Sequence, residues 1–167
     1  MMTTLFTGGR AVRFAAAIAA TLALGACAKD QNADASGFGA GGAATPGSAQ
    51  DFVVNVGDRV FFETDSTDLT STATTTLDKQ AGWLQRYPRY TFTVEGHADE
   101  RGTREYNIAL GARRAQNVRD YLVAHGVAAA RIQTISYGKE RPVAVCDEAT
   151  CWNQNRRAVT VLASAGM

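Results

Sequence analysis

Strong charge of one sign is missing from this sequence of 167 residues, whose formal net charge at pH 7 is +1. Basic residues form no long run and do not alternate with aromatic residues. A protein that grips nucleic acid by its phosphates needs a concentrated positive field. The composition therefore predicts no nucleic-acid partner.

A hydrophobic stretch long enough to cross a bilayer is also missing. The apolar run at 14–24 is about half of the roughly 20 residues that a spanning helix needs. It follows Arg10 and Arg13 and leads into small residues, a pattern typical of a secretory signal peptide. The run ends in Leu-Gly-Ala-Cys at 24–27, which resembles the lipobox of bacterial lipoproteins. An ordinary signal peptide followed by a chance cysteine is the alternative.

The lipobox resemblance implies that Cys27 is acylated and becomes the first residue of the mature chain. Several acyl chains on one residue anchor a protein stably, which a single chain does not. Ala28 stands where an aspartate commonly retains such lipoproteins at the inner membrane, so the resemblance implies the outer membrane. The following residues, up to Gln50, are rich in glycine, alanine and serine. They predict a flexible tether with a span of roughly 25 Å.

Cysteine is scarce, with three residues in all. If Cys27 carries lipid, Cys146 and Cys151 remain as an even pair in an oxidising compartment. This favours a disulfide that closes a small loop and contributes roughly 2 kcal/mol on the chain-entropy estimate. A zinc pair is the alternative, although no second pair of ligands has a supporting spacing, and we predict no metal site.

Beyond residue 51, hydrophobic periodicity alternates between that of a strand and that of a helix. Phe52, Val54 and Val56 predict a first strand or hairpin, and a helix with Tyr106 and Leu110 on its buried side follows the second strand. The order of predicted elements is strand 52–62, helix 73–84, strand 90–94, helix 106–122, strand 132–136 and closing strand 159–161. This order predicts an α/β fold, a β-α-β-α-β sandwich with helices packed on one face of a mixed sheet.

Polar residues are densest between 95 and 114. Asn107, Gly111 and Arg114 have the spacing of one helical stripe, which we predict to lie opposite most of the apolar positions, with Gly111 leaving room for a ligand. Asp99 lies in the loop that leads into this helix. An acid and a guanidinium that face one small space complement a zwitterion, with Asp99 for an ammonium and Arg114 for a carboxylate.

Each of these residues also has a simpler interpretation. Asp99 can cap the helix or pair with Arg101, and Arg114 can be an exposed helix charge paired with Asp99 or Glu100, a contact that contributes little. His97, at the end of a predicted strand, is more often a structural hydrogen-bonding residue than a functional one.

Residues 96–115, GHADERGTREYNIALGARRA, resemble the signature of the OmpA-like peptidoglycan-binding domain, and in particular the peptidoglycan-associated lipoproteins of the Tol–Pal system. The resemblance covers about 51–162 and includes Val60-Phe61-Phe62, Ser136-Tyr137-Gly138-Lys139-Glu140 and Asn155-Arg156-Arg157. The predicted organisation is a signal peptide (1–26), a lipidated N-terminus and tether (27–50), the OmpA-like domain (51–162) and a C-terminal tail (163–167).

The resemblance implies that the domain holds the meso-diaminopimelate of the wall's peptide stem without covalent chemistry and without a cofactor. The positions that match the family's ligand site are Asp99 and Arg114 for the amino-acid end, Asn107 and Leu110 for the pocket shape, Asp65 nearby and Arg157 as a weaker polar contact. The cysteine pair departs from the family, since the loop that carries it is usually free of cysteine.

The family's location and partners follow from the same resemblance. It implies an outer-membrane protein that faces the periplasm, a TolB-like periplasmic partner that competes with the wall, and a role in tethering the two layers. A wall hydrolase that uses His97, Asp99 and Glu100 is the rival interpretation. Such close spacing is poor geometry for one metal, and no serine or cysteine has a convincing base beside it, so we predict a protein without catalytic activity.

Overall fold

A computed structural model describes residues 44–163. The predicted signal peptide, Cys27, the tether as far as residue 43 and the tail residues 164–167 lie outside the described residues. Within 44–163, no helix combines the length and the apolar character needed to span a bilayer. The helices are α1 (Ala49–Asp51, continued by a π-helical turn at Phe52–Val56), α2 (Ser71–Arg86), α3 (Arg104–Ala124) and α4 (Ala149–Asn155), with a 3-10 turn at Ala129–Arg131. The strands are β1 (Arg59–Phe61), β2 (Phe92–His97), β3 (Ile132–Gly138) and β4 (Arg157–Leu162).

The four strands form one mixed sheet in the order β1-β4-β2-β3. β2 and β3 are parallel, and β4 runs antiparallel to both β1 and β2. Phe92 and Val94 of β2 are buried against α2 and α3, while Thr93 and Glu95 point to the other, partly exposed face. The predicted α/β sandwich with a mixed sheet is confirmed.

The two long helices begin and end where local chemistry requires. Thr70 caps α2 by accepting a hydrogen bond from the backbone N–H of Ala73 at 3.1 Å, and α2 ends two residues before Pro88. Thr103 caps α3 in the same way, and Gly126 ends it with a φ of 89°. The predicted positions of both helices are confirmed to within about two residues.

The predicted strand at residues 52–56 is wrong, because these residues form a helical turn. Ser48 caps α1, which leads into this turn. The carboxylate of Asp51 accepts hydrogen bonds from the backbone N–H of Gly47 and the indole N–H of Trp83, both at 2.8 Å. Only Phe52 is buried, with its ring centroid 4.9 Å from that of Trp83. Three apolar residues in alternation over five positions fit either geometry, and the cap with its buried aspartate favours the helix.

The end of the predicted tether also differs from the expectation. The carbonyl of Gly47 accepts hydrogen bonds from the Arg89 guanidinium at 2.6 Å and from the Tyr90 hydroxyl at 2.8 Å. Gly47 is buried, although its composition placed it in the tether. Ordered packing therefore begins before residue 51, because a glycine carbonyl can serve as an acceptor for side chains far along the chain.

Backbone contact between α3 and β2 depends on two glycines. A Cβ at Gly96 would lie 1.9 Å from the carbonyl oxygen of Gly111, and one at Gly111 would lie 2.4 Å from the Ser136 hydroxyl oxygen. The expectation that Gly111 leaves room for a ligand is wrong, since the sheet occupies that space. Helix and strand approach closely here, which sets the distance between the loop after β2 and the polar residues of α3.

Substitution of Gly96 by alanine tests this contact. We expect Gly96→Ala to lower the free energy of unfolding by about 3 kcal/mol, the upper end of the usual overpacking cost, because the added methyl meets backbone. Gly82→Ala is the matched control, since a Cβ at Gly82 in α2 meets no atom within 4 Å. It should gain about 0.5–1 kcal/mol in helix propensity. Urea unfolding of both variants checks the difference, and equal midpoints would contradict the close contact.

Candidate functional site

An open cavity of about 250 Å³ lies where the loops after β1 and β2 meet α3. Its lining consists of Thr64 and Asp65 from the first loop, Asp99, Arg101 and Gly102 from the second, and Tyr106, Asn107, Leu110 and Arg114 from α3. The structure thus brings together five of the predicted ligand-site residues, Asp65, Asp99, Asn107, Leu110 and Arg114. Arg157 lies outside this lining, and its guanidinium donates to the backbone carbonyls of Asn155 and Arg141.

Asp99 is a nearly buried carboxylate, 7% exposed, surrounded by donors. Its Oδ1 accepts from the backbone N–H and the Nε of Arg101, both at 3.2 Å. Its Oδ2 accepts from Arg101 Nη2 at 2.7 Å and from Arg156 Nη1 at 3.3 Å. Burial alone would raise the pKa of Asp99, but these hydrogen bonds outweigh it and hold the pKa below its ordinary value. The pairing of Asp99 with Arg101 that the sequence left open is present.

Arg114 has no solvent exposure, which rules out an exposed helix charge. Its Nε donates to the carbonyl of Ser66 at 2.9 Å, Nη1 to that of His97 at 2.8 Å, and Nη2 to that of Glu63 at 3.1 Å. The guanidinium carbon lies 5.0 Å above the ring of Phe62. Burial, assisted by the charge of Arg156, lowers the pKa of Arg114 to about 10, so the residue is still a cation at neutral pH.

The polar stripe of α3 faces inward, contrary to the sequence prediction. Asn107 is 2% exposed and donates to the carbonyl of Arg101 at 2.8 Å, while Leu110 is 5% exposed. Tyr106, predicted to be buried, is 45% exposed, and its hydroxyl donates to the carboxylate of Asp65. The reason is that the sheet, through β2 and β3, lies against the side of α3 that carries Asn107 and Gly111. Polar residues therefore take buried positions, and an aromatic one lines the open cavity.

Two residues contact the loop after β2 from the region of α4: Trp152 within the helix and Arg156 just after it. The sequence analysis did not identify either of them. Arg156, 5% exposed, binds Asp99, whereas the motif drew attention to its neighbour Arg157. Trp152 donates from its indole nitrogen to Glu100, and Arg101 lies 4.1 Å above its ring. Arg156 is the boundary residue between α4 and β4, so no periodic pattern assigns the side on which it lies.

The start of α4 is held by a disulfide between Cys146 and Cys151, whose Cα atoms are 5.8 Å apart. The bond leaves these two thiolates unavailable for zinc. Cys151 directly precedes Trp152, so the closed loop fixes the turn of helix that carries the indole. The disulfide therefore lies next to the candidate site.

His97 lies beneath the site and differs from its expected role. Its ring is 2% exposed, and among the described residues neither ring nitrogen has a hydrogen-bond partner; the nearest acid is Glu95, with an oxygen 3.7 Å from Nε2. Burial and the charges of Arg157 and Arg141 lower its pKa to about 4. The contact of His97 with the site is through its backbone carbonyl, which accepts a hydrogen bond from Arg114.

Folding stability should consequently fall as the pH drops from about 6.5 to about 4. The unfolded chain binds a proton at His97 in this range while the folded protein excludes it, so the stability is complete above the unfolded pKa. The loss contributed by His97 reaches about 3 kcal/mol. Urea unfolding across this pH range should show a flatter profile for His97→Gln than for the parent. An unchanged profile for His97→Gln would contradict the buried, neutral ring.

Several known proteins are similar to this chain. A model described as the OmpA family matches residues 61–157. The peptidoglycan-associated lipoprotein of Rhizobium meliloti is 66% identical over 90% of this chain and 87% of its own length. That of Pseudomonas aeruginosa is 42% identical over 85% of this chain and 92% of its own. The crystal structure of the peptidoglycan-associated lipoprotein from Burkholderia pseudomallei is 40% identical, with a TM-score of 0.62, over 64% of this chain and 90% of that one.

Proposed function

This chain belongs to the OmpA family, among the peptidoglycan-associated lipoproteins, and on that premise we propose that it binds the diaminopimelate stem of peptidoglycan without cutting it. Its acylated Cys27 anchors it in the outer membrane, facing the periplasm. As part of the Tol–Pal envelope and cell-division system, it tethers that membrane to the wall and docks a TolB-like protein. The family membership supports the wall ligand, and the cavity supplies the chemistry to recognise it.

One observation carries the proposal: a carboxylate and a guanidinium of opposite charge line the same open cavity. Asp99 lies in the loop after β2, and Arg114 forms part of the wall on α3. Because both side chains are buried, their fields are little screened by salt and water. The cavity therefore complements the amino-acid end of diaminopimelate, with Asp99 for the ammonium and the positive charge of Arg114 for the carboxylate.

Each single contact with the wall is weak, because a small charged ligand in an open cavity gains little after both partners lose water. Avidity compensates for the weak single contacts. Many copies are anchored in one membrane and bind one continuous wall, so their simultaneous binding is much stronger than that of one copy. The predicted tether sets how far each domain reaches from its lipid. The outer membrane as a whole then stays attached to the wall, while each single molecule binds reversibly.

Co-sedimentation of the full chain, in detergent, with purified sacculi tests the proposal. Asp99→Asn keeps the shape of the side chain and removes its charge, and we expect the affinity to fall at least about tenfold, the cost of losing a charged hydrogen bond. High salt should weaken the parent's binding only slightly, because the charges that meet the ligand are buried. Arg114 is a poorer target, since its removal leaves three backbone carbonyls without the donor that holds them.

Asp120→Asn is the matched control, because Asp120 lies on α3 with a side chain that is 59% exposed and outside the cavity lining. It makes the same change in charge and should sediment like the parent. If Asp99→Asn also sediments like the parent, the site assignment is wrong. A parent that stays in the supernatant would contradict wall binding itself.

A further inference from the structure

Every acceptor position of Asp99 is occupied by a donor of the chain itself. A carboxylate has about four lone-pair positions, and Asp99 accepts four hydrogen bonds, three from Arg101 and one from Arg156. An incoming ammonium can therefore reach the carboxylate only when one of these donors leaves. The way in which a ligand enters this site rests on the proposed function, because the ligand is the one proposed there.

The guanidinium of Arg101 is the donor that can leave. Arg156 is 5% exposed and also donates to the carbonyl of Phe62 at 3.0 Å and to the side chain of Asn153, so its position is fixed by the fold. The backbone N–H of Arg101 belongs to the loop itself. In contrast, the Arg101 side chain is 42% exposed, and its departure breaks its two bonds to Asp99 without opening the core.

Trp152 holds that guanidinium in place from its other side. The Arg101 guanidinium carbon lies 4.1 Å from the centre of the indole, within the range of a cation–π contact. The orientation of the ring is fixed by its hydrogen bond to Glu100 and by the disulfide at Cys151, one residue away. Arg101 makes its contacts with Asp99 and with Trp152 at the same time, so each contact strengthens the other.

We propose that Arg101 is a built-in competitor for the ligand's ammonium and that Trp152 is the residue that positions it. Ligand binding is then an exchange of one cation for another at Asp99, and the affinity reflects only the difference between them. A ligand without a cation cannot replace Arg101 and is excluded. This exchange determines the specificity of the site for an amine and keeps each contact with the wall weak.

Isothermal titration of the full chain, in detergent, with a stem tripeptide ending in meso-diaminopimelate tests the exchange. We expect Arg101→Ala to bind about fivefold more tightly than the parent, the upper range for an exposed ion pair. Trp152→Ala should bind about twofold to threefold more tightly, since it removes a contact of cation–π strength, and Trp152→Phe, which keeps an aromatic face, should return close to the parent. A substitution that disturbs the fold would weaken ligand binding, so tighter binding by either alanine variant cannot result from misfolding.

Arg104→Ala is the matched control, because Arg104 begins α3 near the same loop but pairs with Glu140 instead of Asp99. It removes the same charge and should leave the affinity within about twofold of the parent. Equal or weaker binding by Arg101→Ala, or an equal gain in Arg104→Ala, overturns the exchange. Binding by Arg101→Ala where the parent shows none supports it. If neither the parent nor any variant binds the tripeptide, both the proposed function and the exchange fail. If the parent binds, the proposed function stands, and the Arg101→Ala result alone decides the exchange.

Discussion

A buried guanidinium, that of Arg114, joins the two loops between which the candidate site lies. It bonds the carbonyls of Glu63 and Ser66 after β1 and that of His97 at the end of β2. A cation taken out of water costs several kcal/mol unless polar partners surround it. The three carbonyls must therefore stay where they are, and both walls of the cavity stay with them. The residue that supplies positive charge to the site also builds it.

The loop after β2 is also fixed by residues that follow β3 and surround α4. Arg156 reaches Asp99 from the boundary between α4 and β4, and Trp152 reaches Glu100 from α4. The ammonium of Lys139 donates to two backbone carbonyls of the loop at 3.1 and 2.8 Å. A ligand consequently meets a carboxylate that is already oriented, so little ordering is needed when it binds. In the exchange proposed above, the ligand replaces Arg101 at that carboxylate, which would suit a contact with the wall that each copy can release separately.

Prediction from the sequence succeeded where interactions within one element determine its secondary structure. The two long helices show the spacing of apolar residues, a threonine cap and a stop signal, and all of these act between neighbours along the chain. It failed at residues 52–56, where five positions fit a strand or a helical turn equally well. It failed again on the faces of α3, since Gly111 and Asn107 are buried against the sheet while Tyr106 is exposed. A hydrophobic pattern cannot identify the buried side of a helix that packs through polar residues and glycine.

By itself the sequence determined the order and the kind of the main elements, the family motif at 96–115 and the pair of charged residues around which the site is built. The tertiary structure alone decided that Arg114 is a buried clamp, that Arg156 binds Asp99 where Arg157 does not, and that Arg101 already occupies the carboxylate. The physical reason is distance along the chain. Arg114 finds its carbonyls up to 51 residues away and Arg156 finds Asp99 57 residues away, and no local pattern encodes which of two neighbouring arginines will face such a partner.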